Sequence, residues 1–137
     1  MKRILVGYDA SAAAERALER SAELAKAFDA TITVASVAHA YHGFGRGIGV
    51  IDPADPPELH RAELHRARRK LDELGVAAET VEAIGDPGKT LAEIAEQRRA
   101  DLIVVGTHDF GVLDRVIYGS VSDTVKHTAH RDVLIVH

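Results

Sequence analysis

The chain has 137 residues, of which 46% are hydrophobic and 28% charged, so one hydrophobic core suffices and we expect a single domain over residues 1–137. It contains no cysteine, which excludes disulfides, thiolate metal sites and cysteine nucleophiles and fits a reducing, cytoplasmic location. A formal net charge of -4 argues against nucleic acid as a partner, and no apolar run approaches the roughly 18 residues that would predict a membrane span.

Strands and helices alternate along the first part of the chain. Residues 3–8 form a short apolar run, which is typical of a strand buried on both faces of a parallel sheet. Ser11 can cap a helix whose small and apolar residues recur at helical spacing as far as Phe28. Residues 31–37 are rich in β-branched side chains and predict the second strand. The alternate glycines that follow, within residues 41–50, predict a mobile loop that could close as a lid.

The same alternation continues to the last residue. Two prolines open the next helix and Gly75 follows its end, as expected for a C′ residue. The later predicted elements are a strand at 76–84, a helix at 87–99, a strand at 102–105, a helix at 120–128 and a strand at 133–136. Strict alternation implies right-handed crossovers, hence an α/β fold with one doubly wound, five-stranded parallel sheet and helices on both faces. Ligands of such sheets bind beyond the carboxyl ends of the strands.

A glycine-containing segment leaves the fourth predicted strand and ends where the fourth predicted helix begins. It consists of Gly106, Thr107, His108 and Asp109, then nine residues, then Gly119, Ser120, Val121 and Ser122. Glycines let backbone N–H groups approach an oxyanion, a helix start adds a positive dipole end, and serine hydroxyls donate hydrogen bonds. The residues alone leave two interpretations open, a phosphate-binding loop and an ordinary turn.

Two other patterns suggest chemistry and are weaker. Residues 88–90, Gly-Lys-Thr, imitate the end of a P-loop, but the first glycine of that motif is replaced by Ala83. Ser120, His108 and Asp109 have the residue types of a hydrolase, but they belong to the same glycine-containing segment. We therefore prefer binding over catalysis.

Three segments together carry a family resemblance. They are Ile-Leu-Val-Gly-Tyr-Asp at 4–9, Gly-Asp-Pro at 85–87, and Asp-Leu-Ile-Val-Val-Gly-Thr-His at 101–108 with Gly-Ser-Val-Ser at 119–122. The chain resembles the universal stress protein family over its whole length. The resemblance implies one adenine nucleotide alpha hydrolase-like domain, commonly dimeric, that in many members binds ATP through the pattern G-x-x-G, nine residues, then G-S or G-T.

The resemblance also implies which residues form the nucleotide site. Phosphates and ribose would be held by Gly106, Gly119, Ser120 and Val121, and the adenosine would be faced by Asp9 and Val37. With their neighbours, the expected site residues are Gly7, Tyr8, Asp9, Val37, Gly106, Thr107, His108, Asp109, Gly119, Ser120, Val121 and Ser122.

Asp109 occupies the place of the second glycine in that pattern, while the nine-residue spacing to Gly119 is kept. A carboxylate ~4 Å from a phosphate charge costs on the order of 4 kcal/mol at an effective dielectric constant of ~20. Asp109 therefore either repels phosphate or coordinates Mg²⁺ beside it. Aspartate tolerates left-handed backbone better than most residues, so the shape of the loop can survive the change.

The resemblance, together with these patterns, implies a stress-response protein that binds ATP or AMP at the loop 106–122 and acts by binding or sensing. Two alternatives stay open: a nucleotide-free dimeric signalling scaffold, and a slow Mg²⁺-dependent ATPase whose metal is held by Asp9 and Asp109. Residues 133–137 form an apolar terminal strand, and an exposed edge of that kind predicts a homodimer through strand pairing.

Overall fold

A computed structural model describes residues 1–42, 49–51, 56–107 and 131–137. Its elements in chain order are β1 (Arg3–Gly7), α1 (Ala12–Phe28), β2 (Thr31–His42), β3 (Gly49–Ile51), α2 (Pro57–Glu73), β4 (Ala78–Gly85), α3 (Pro87–Arg98), β5 (Leu102–Gly106) and β6 (Asp132–Val136). None of the three helices in these ranges is long and apolar enough to cross a membrane. The predicted fourth helix, at 120–128, lies outside the described residues.

Five of the strands form a parallel sheet in the order β4-β2-β1-β5-β6. The central strand is β1, where Val6 lies opposite Val34 of β2 on one side and Val104 of β5 on the other. The chain moves outwards from β1 to β2 and β4, and then resumes on the other side with β5 and β6. This order confirms the doubly wound α/β fold and puts the switch point between β1 and β5.

The two faces of the sheet are covered by different helices. α1 and α2 pack on one face around Ile4 and Val6, and α3 packs on the other around Leu5. Because successive residues of a strand point to opposite faces, a strand covered on both sides must be apolar at every position. This is why residues 4–6 show no polar alternation.

Several predicted element ends are confirmed by backbone geometry. The Ser11 side chain accepts a hydrogen bond from the Ala14 N–H and so caps α1. Gly75, with φ of 78°, follows the end of α2 in a left-handed conformation. Phe28 was expected to join the apolar stripe of α1, and this was wrong: it is the last helical residue, one turn past the buried Ala25, and it is 52% exposed.

The second strand is longer than its sequence pattern indicated. It continues from Thr31 to His42, and its end pairs with β3 in antiparallel fashion, with Tyr41 opposite Val50. The two ends of the predicted loop are therefore strands, and glycine at alternate positions concealed the strand propensity of Val50 and Ile51. Residues 43–48, at the centre of the predicted lid, lie outside the described residues.

The close packing of α1 against the sheet at Gly106 can be tested by substitution. A Cβ atom at this position would lie 2.7 Å from the carbonyl carbon of Ala13 and 2.9 Å from the Ala14 nitrogen, both of which are helix backbone. Overpacking of this kind typically costs about 1–3 kcal/mol. Gly106→Ala is therefore expected to lower the free energy of unfolding by about 2 kcal/mol in urea denaturation.

Gly7→Ala is the matched control for that substitution. A Cβ at Gly7 would meet Leu91 Cδ2 at 3.0 Å, a side-chain atom that can move aside. Its loss of stability should therefore be the smaller of the two. Equal losses would contradict a special constraint at position 106.

Candidate functional site

The carboxyl ends of β1, β2 and β5 meet at one edge of the sheet, at the switch point. Tyr8 N–H donates to the Ala35 carbonyl, and Thr107 N–H donates to the Val136 carbonyl, so both strand ends are continued by hydrogen bonds. Six of the predicted site residues lie along this edge: Gly7, Tyr8, Asp9, Val37, Gly106 and Thr107. The other six lie outside the described residues: His108, Asp109, Gly119, Ser120, Val121 and Ser122.

A tight turn joins β1 to α1 and orients Asp9. The Asp9 carboxylate accepts a hydrogen bond from the Ser11 N–H at 2.9 Å. Between them, Ala10 has a φ of 61°, a left-handed conformation that is uncommon for a residue with a Cβ. The turn leads directly to the Ser11 cap. Asp9 is thereby an exposed carboxylate whose position is set by the backbone rather than by a flexible loop.

The first turn of α1 lies over the end of β5. The short distances from Gly106 to Ala13 and Ala14 put the amino end of this helix, with its positive dipole, beside the strand end. Gly106 is thus required by packing, whether or not a ligand binds.

The side chain of Tyr8 lies in the interface between α1 and α2, not at the edge. It is 3% exposed, and its hydroxyl donates to the Glu15 carboxylate. Lys70 of α2 donates to the same carboxylate at 2.9 Å and pairs with Glu19 at 2.9 Å. Any contribution of Tyr8 to a ligand at the edge would therefore come from its backbone.

This network changes the acid–base properties of its members. Burial, together with the hydrogen bond to Glu15, raises the pKa of Tyr8 to about 12. Burial alone would raise the pKa of Glu15, but the hydrogen bonds from Tyr8 and Lys70 hold it below its usual value. Sequence reasoning missed Glu15 and Lys70, because 55 residues separate them and only the packing of α2 on α1 brings them together.

The Gly-Lys-Thr pattern at 88–90 does not form a phosphate-binding loop. Asp86 caps α3: its carboxylate accepts from the Lys89 N–H at 3.3 Å, and its carbonyl accepts from the Thr90 N–H at 2.8 Å. A carboxylate therefore occupies the helix start at which a P-loop would hold phosphate. Within the described ranges, moreover, no three histidine or acidic side chains gather as ligands for a metal.

A cleft of about 330 Å³ opens at the opposite, amino-terminal edge of the sheet. Its lining includes Arg3, Thr33 and Ala100. Arg98 of α3 and Glu79 of β4, which form an ion pair, also line it. None of the predicted site residues lines this cleft. It is therefore distinct from the candidate site at the carboxyl edge.

Comparison with known proteins settles the family. The sequence model that describes the universal stress protein family matches residues 1–137 of this chain. The chain belongs to this family. A universal stress protein of Mycobacterium tuberculosis is 32% identical over 143 residues, an alignment that covers 99% of this chain and 96% of that protein. One from Methanocaldococcus jannaschii is 30% identical over 138 residues, covering 98% of this chain and 81% of that protein.

Solved structures of universal stress proteins share the fold. One that was determined in complex with cAMP aligns with a TM-score of 0.69 at 28% identity and covers 99% of this chain and 96% of that one. Another, from Burkholderia pseudomallei, aligns with a TM-score of 0.70 at 27% identity and covers 98% and 95%. The predicted universal stress protein fold is confirmed by these alignments.

The Tyr8 hydroxyl provides a test of the buried network. Tyr8→Phe keeps the ring and removes the bond to Glu15, so it is expected to cost about 1.5–3 kcal/mol of unfolding free energy near neutral pH, the usual range for a bond to a charged group. The folded pKa of about 12 exceeds the unfolded value of about 10. The contribution of Tyr8 is therefore complete below about pH 10 and is lost as the pH rises towards 12.

The measurement is urea unfolding of both proteins at a series of pH values. The stability difference between them should shrink across the window from about pH 10 to about pH 12. Titrating groups outside the Tyr8–Glu15–Lys70 network are common to both proteins and cancel in the difference. A difference that stays constant over this window would show that the Tyr8 proton does not stabilise the fold.

Proposed function

We propose that this universal stress protein binds an adenine nucleotide at the carboxyl edge of its sheet and acts by binding or sensing, as a single cytoplasmic domain over residues 1–137. The observation that carries the proposal is the convergence of Asp9, Val37 and Gly106, from three neighbouring strands, at the switch point of the sheet. The 28% identical relative solved with cAMP supports an adenine nucleotide as the ligand class.

The described residues suit the two ends of such a ligand. Asp9 offers an exposed carboxylate held by the Ser11 N–H, and carboxylates accept hydrogen bonds from ribose hydroxyls or the adenine amino group. Val37 is half-buried and gives an apolar surface for the base. Backbone N–H groups after Gly106, with those of Gly119 and Ser120, would hold phosphate beside the amino end of α1.

A homodimer through residues 133–137 is the second part of the proposal. β6 pairs with β5 on one side, and among the described residues no strand lies on its other side. Val133–Val136 contains no charged side chain that would oppose strand addition. Two copies related by a two-fold axis would pair these strands in antiparallel fashion.

Asp109 gives the sharpest test of how nucleotide is bound. If its carboxylate only repels phosphate, Asp109→Gly should tighten ATP binding, by a factor that grows at low salt because screening is weaker there. If it recruits Mg²⁺, the same substitution should weaken ATP binding, and EDTA should weaken binding to the unaltered protein to a similar extent. The two mechanisms thus predict opposite signs in titration calorimetry, and AMP should respond less than ATP.

Asp9→Asn is the companion variant, because it keeps the size of the side chain and removes the charged acceptor. It should weaken AMP and ATP by similar factors, since both carry the adenosine. Absence of binding of ATP, AMP and cAMP to the unaltered protein and to Asp109→Gly, with and without Mg²⁺, would refute nucleotide binding and leave the dimeric scaffold. Release of phosphate from ATP above background would instead identify the slow ATPase.

The dimer is tested by Ile135→Lys, which puts a charge inside β6. Analytical ultracentrifugation is expected to show a dimer for the unaltered protein and a monomer for the variant. Ile84→Lys is the matched control, since Ile84 lies on the opposite edge strand β4 and is 51% exposed. A monomeric unaltered protein, or a dimer that survives Ile135→Lys, would contradict pairing through β6.

A further inference from the structure

β4 is an edge strand of the described sheet and lies at the side opposite β6. It pairs with β2 along its whole length, from Ala78 to Gly85, and with no second strand among the residues described. At eight residues it is longer than β6, which has five. An edge of this length presents a row of backbone donors and acceptors to which another chain can add.

Two arginine–glutamate ion pairs flank this edge. Glu82 pairs with Arg61 of α2, with Nε and Oε1 2.8 Å apart, and Glu79 pairs with Arg98 of α3. Positions 79 and 82 of a strand point to opposite faces, and α2 and α3 lie on opposite faces of the sheet. The edge therefore carries one ion pair on each face.

Arg61 stabilises the ionised form of the Glu82 carboxylate. The hydrogen bond from Arg61 keeps the pKa of Glu82 below its usual range, so this carboxylate stays ionised in mildly acidic solution. β6 differs from β4 in composition: Asp132 is its first residue, and its other four residues, 133–136, are all apolar. β4 is therefore charged on both faces along its length, whereas β6 is charged only at its first residue.

We propose that the Glu79–Arg98 and Glu82–Arg61 pairs guard β4 against pairing with a second copy of this chain and so confine strand addition to β6. A strand added beside β4 would set its side chains against an ion pair on each face and partly desolvate both pairs. A second β4 would also bring like carboxylates close together. If both edges accepted a strand, dimers would extend into open chains rather than close.

The proposed role of the two ion pairs does not depend on the nucleotide site, and it can be tested separately from the β6 dimer. The double variant Glu79→Val, Glu82→Val removes both carboxylates and inserts side chains that favour strands. In sedimentation velocity its mean mass should at least double relative to the unaltered protein and should rise with concentration. Glu73→Val with Glu93→Val, exposed positions on α2 and α3, makes the same change of charge away from the edge and should leave the mass unchanged.

Combining the double variant with Ile135→Lys isolates the β4 edge. With β6 blocked, assembly should stop at a dimer whose outward β4 amides gain protection from hydrogen exchange. Glu79→Thr with Glu82→Thr repeats the test with polar residues, in case valine impairs folding, and should assemble likewise. Unchanged mass in both folded double variants, or larger species without new protection in β4, would overturn the proposal, whatever the oligomeric state of the unaltered protein.

Discussion

The close contact between the first turn of α1 and the end of β5 is the constraint on which the candidate site depends. Only a glycine fits at position 106, because a Cβ would fall within 2.7 to 2.9 Å of Ala13 and Ala14 atoms. This contact brings the amino end of α1 to the switch point, next to Thr107. It also fixes the short turn through Asp9 and Ser11, since that turn must connect β1 to a helix already seated on β5.

Tyr8 and Asp9, the two residues that follow β1, differ in their surroundings. The Tyr8 side chain is buried and ties α1 to α2 through Glu15 and Lys70, whereas Asp9 is exposed at the edge. Adjacent positions thus differ in exposure: Tyr8 joins the helices in the interior, and the Asp9 carboxylate faces solvent. The two edge strands of the sheet also differ in composition, since β4 carries Glu79 and Glu82 and residues 133–136 of β6 are apolar.

The fold could be predicted largely from local patterns. Apolar runs such as 4–6 identify strands covered on both faces, and the Ser11 cap and Gly75 identify helix ends, because each of these features acts within a few residues. The strand β3 was not predicted because its residues follow a glycine-rich stretch. Phe28 was misjudged because helical spacing does not reveal that burial along α1 stops before its last residue.

The candidate site could be predicted less completely. Backbone positions at strand ends, such as Asp9 and Gly106, follow from topology, and the structure brings six of the expected residues to one edge. Side-chain direction at Tyr8 does not follow from topology, since it depends on how α2 packs against α1. The ion pairs of Arg61 and Arg98 with β4 are likewise contacts between distant segments, which no local pattern reveals.

Chemical-shift mapping with cAMP or AMP tests nucleotide binding at the carboxyl edge most directly. On the unaltered protein, saturable shifts should appear at the amides of Asp9, Val37 and Thr107 and be small at Thr33 and Ala100, which line the cleft at the amino edge. Shifts centred on that cleft, or none that saturate, would contradict a nucleotide site at the switch point.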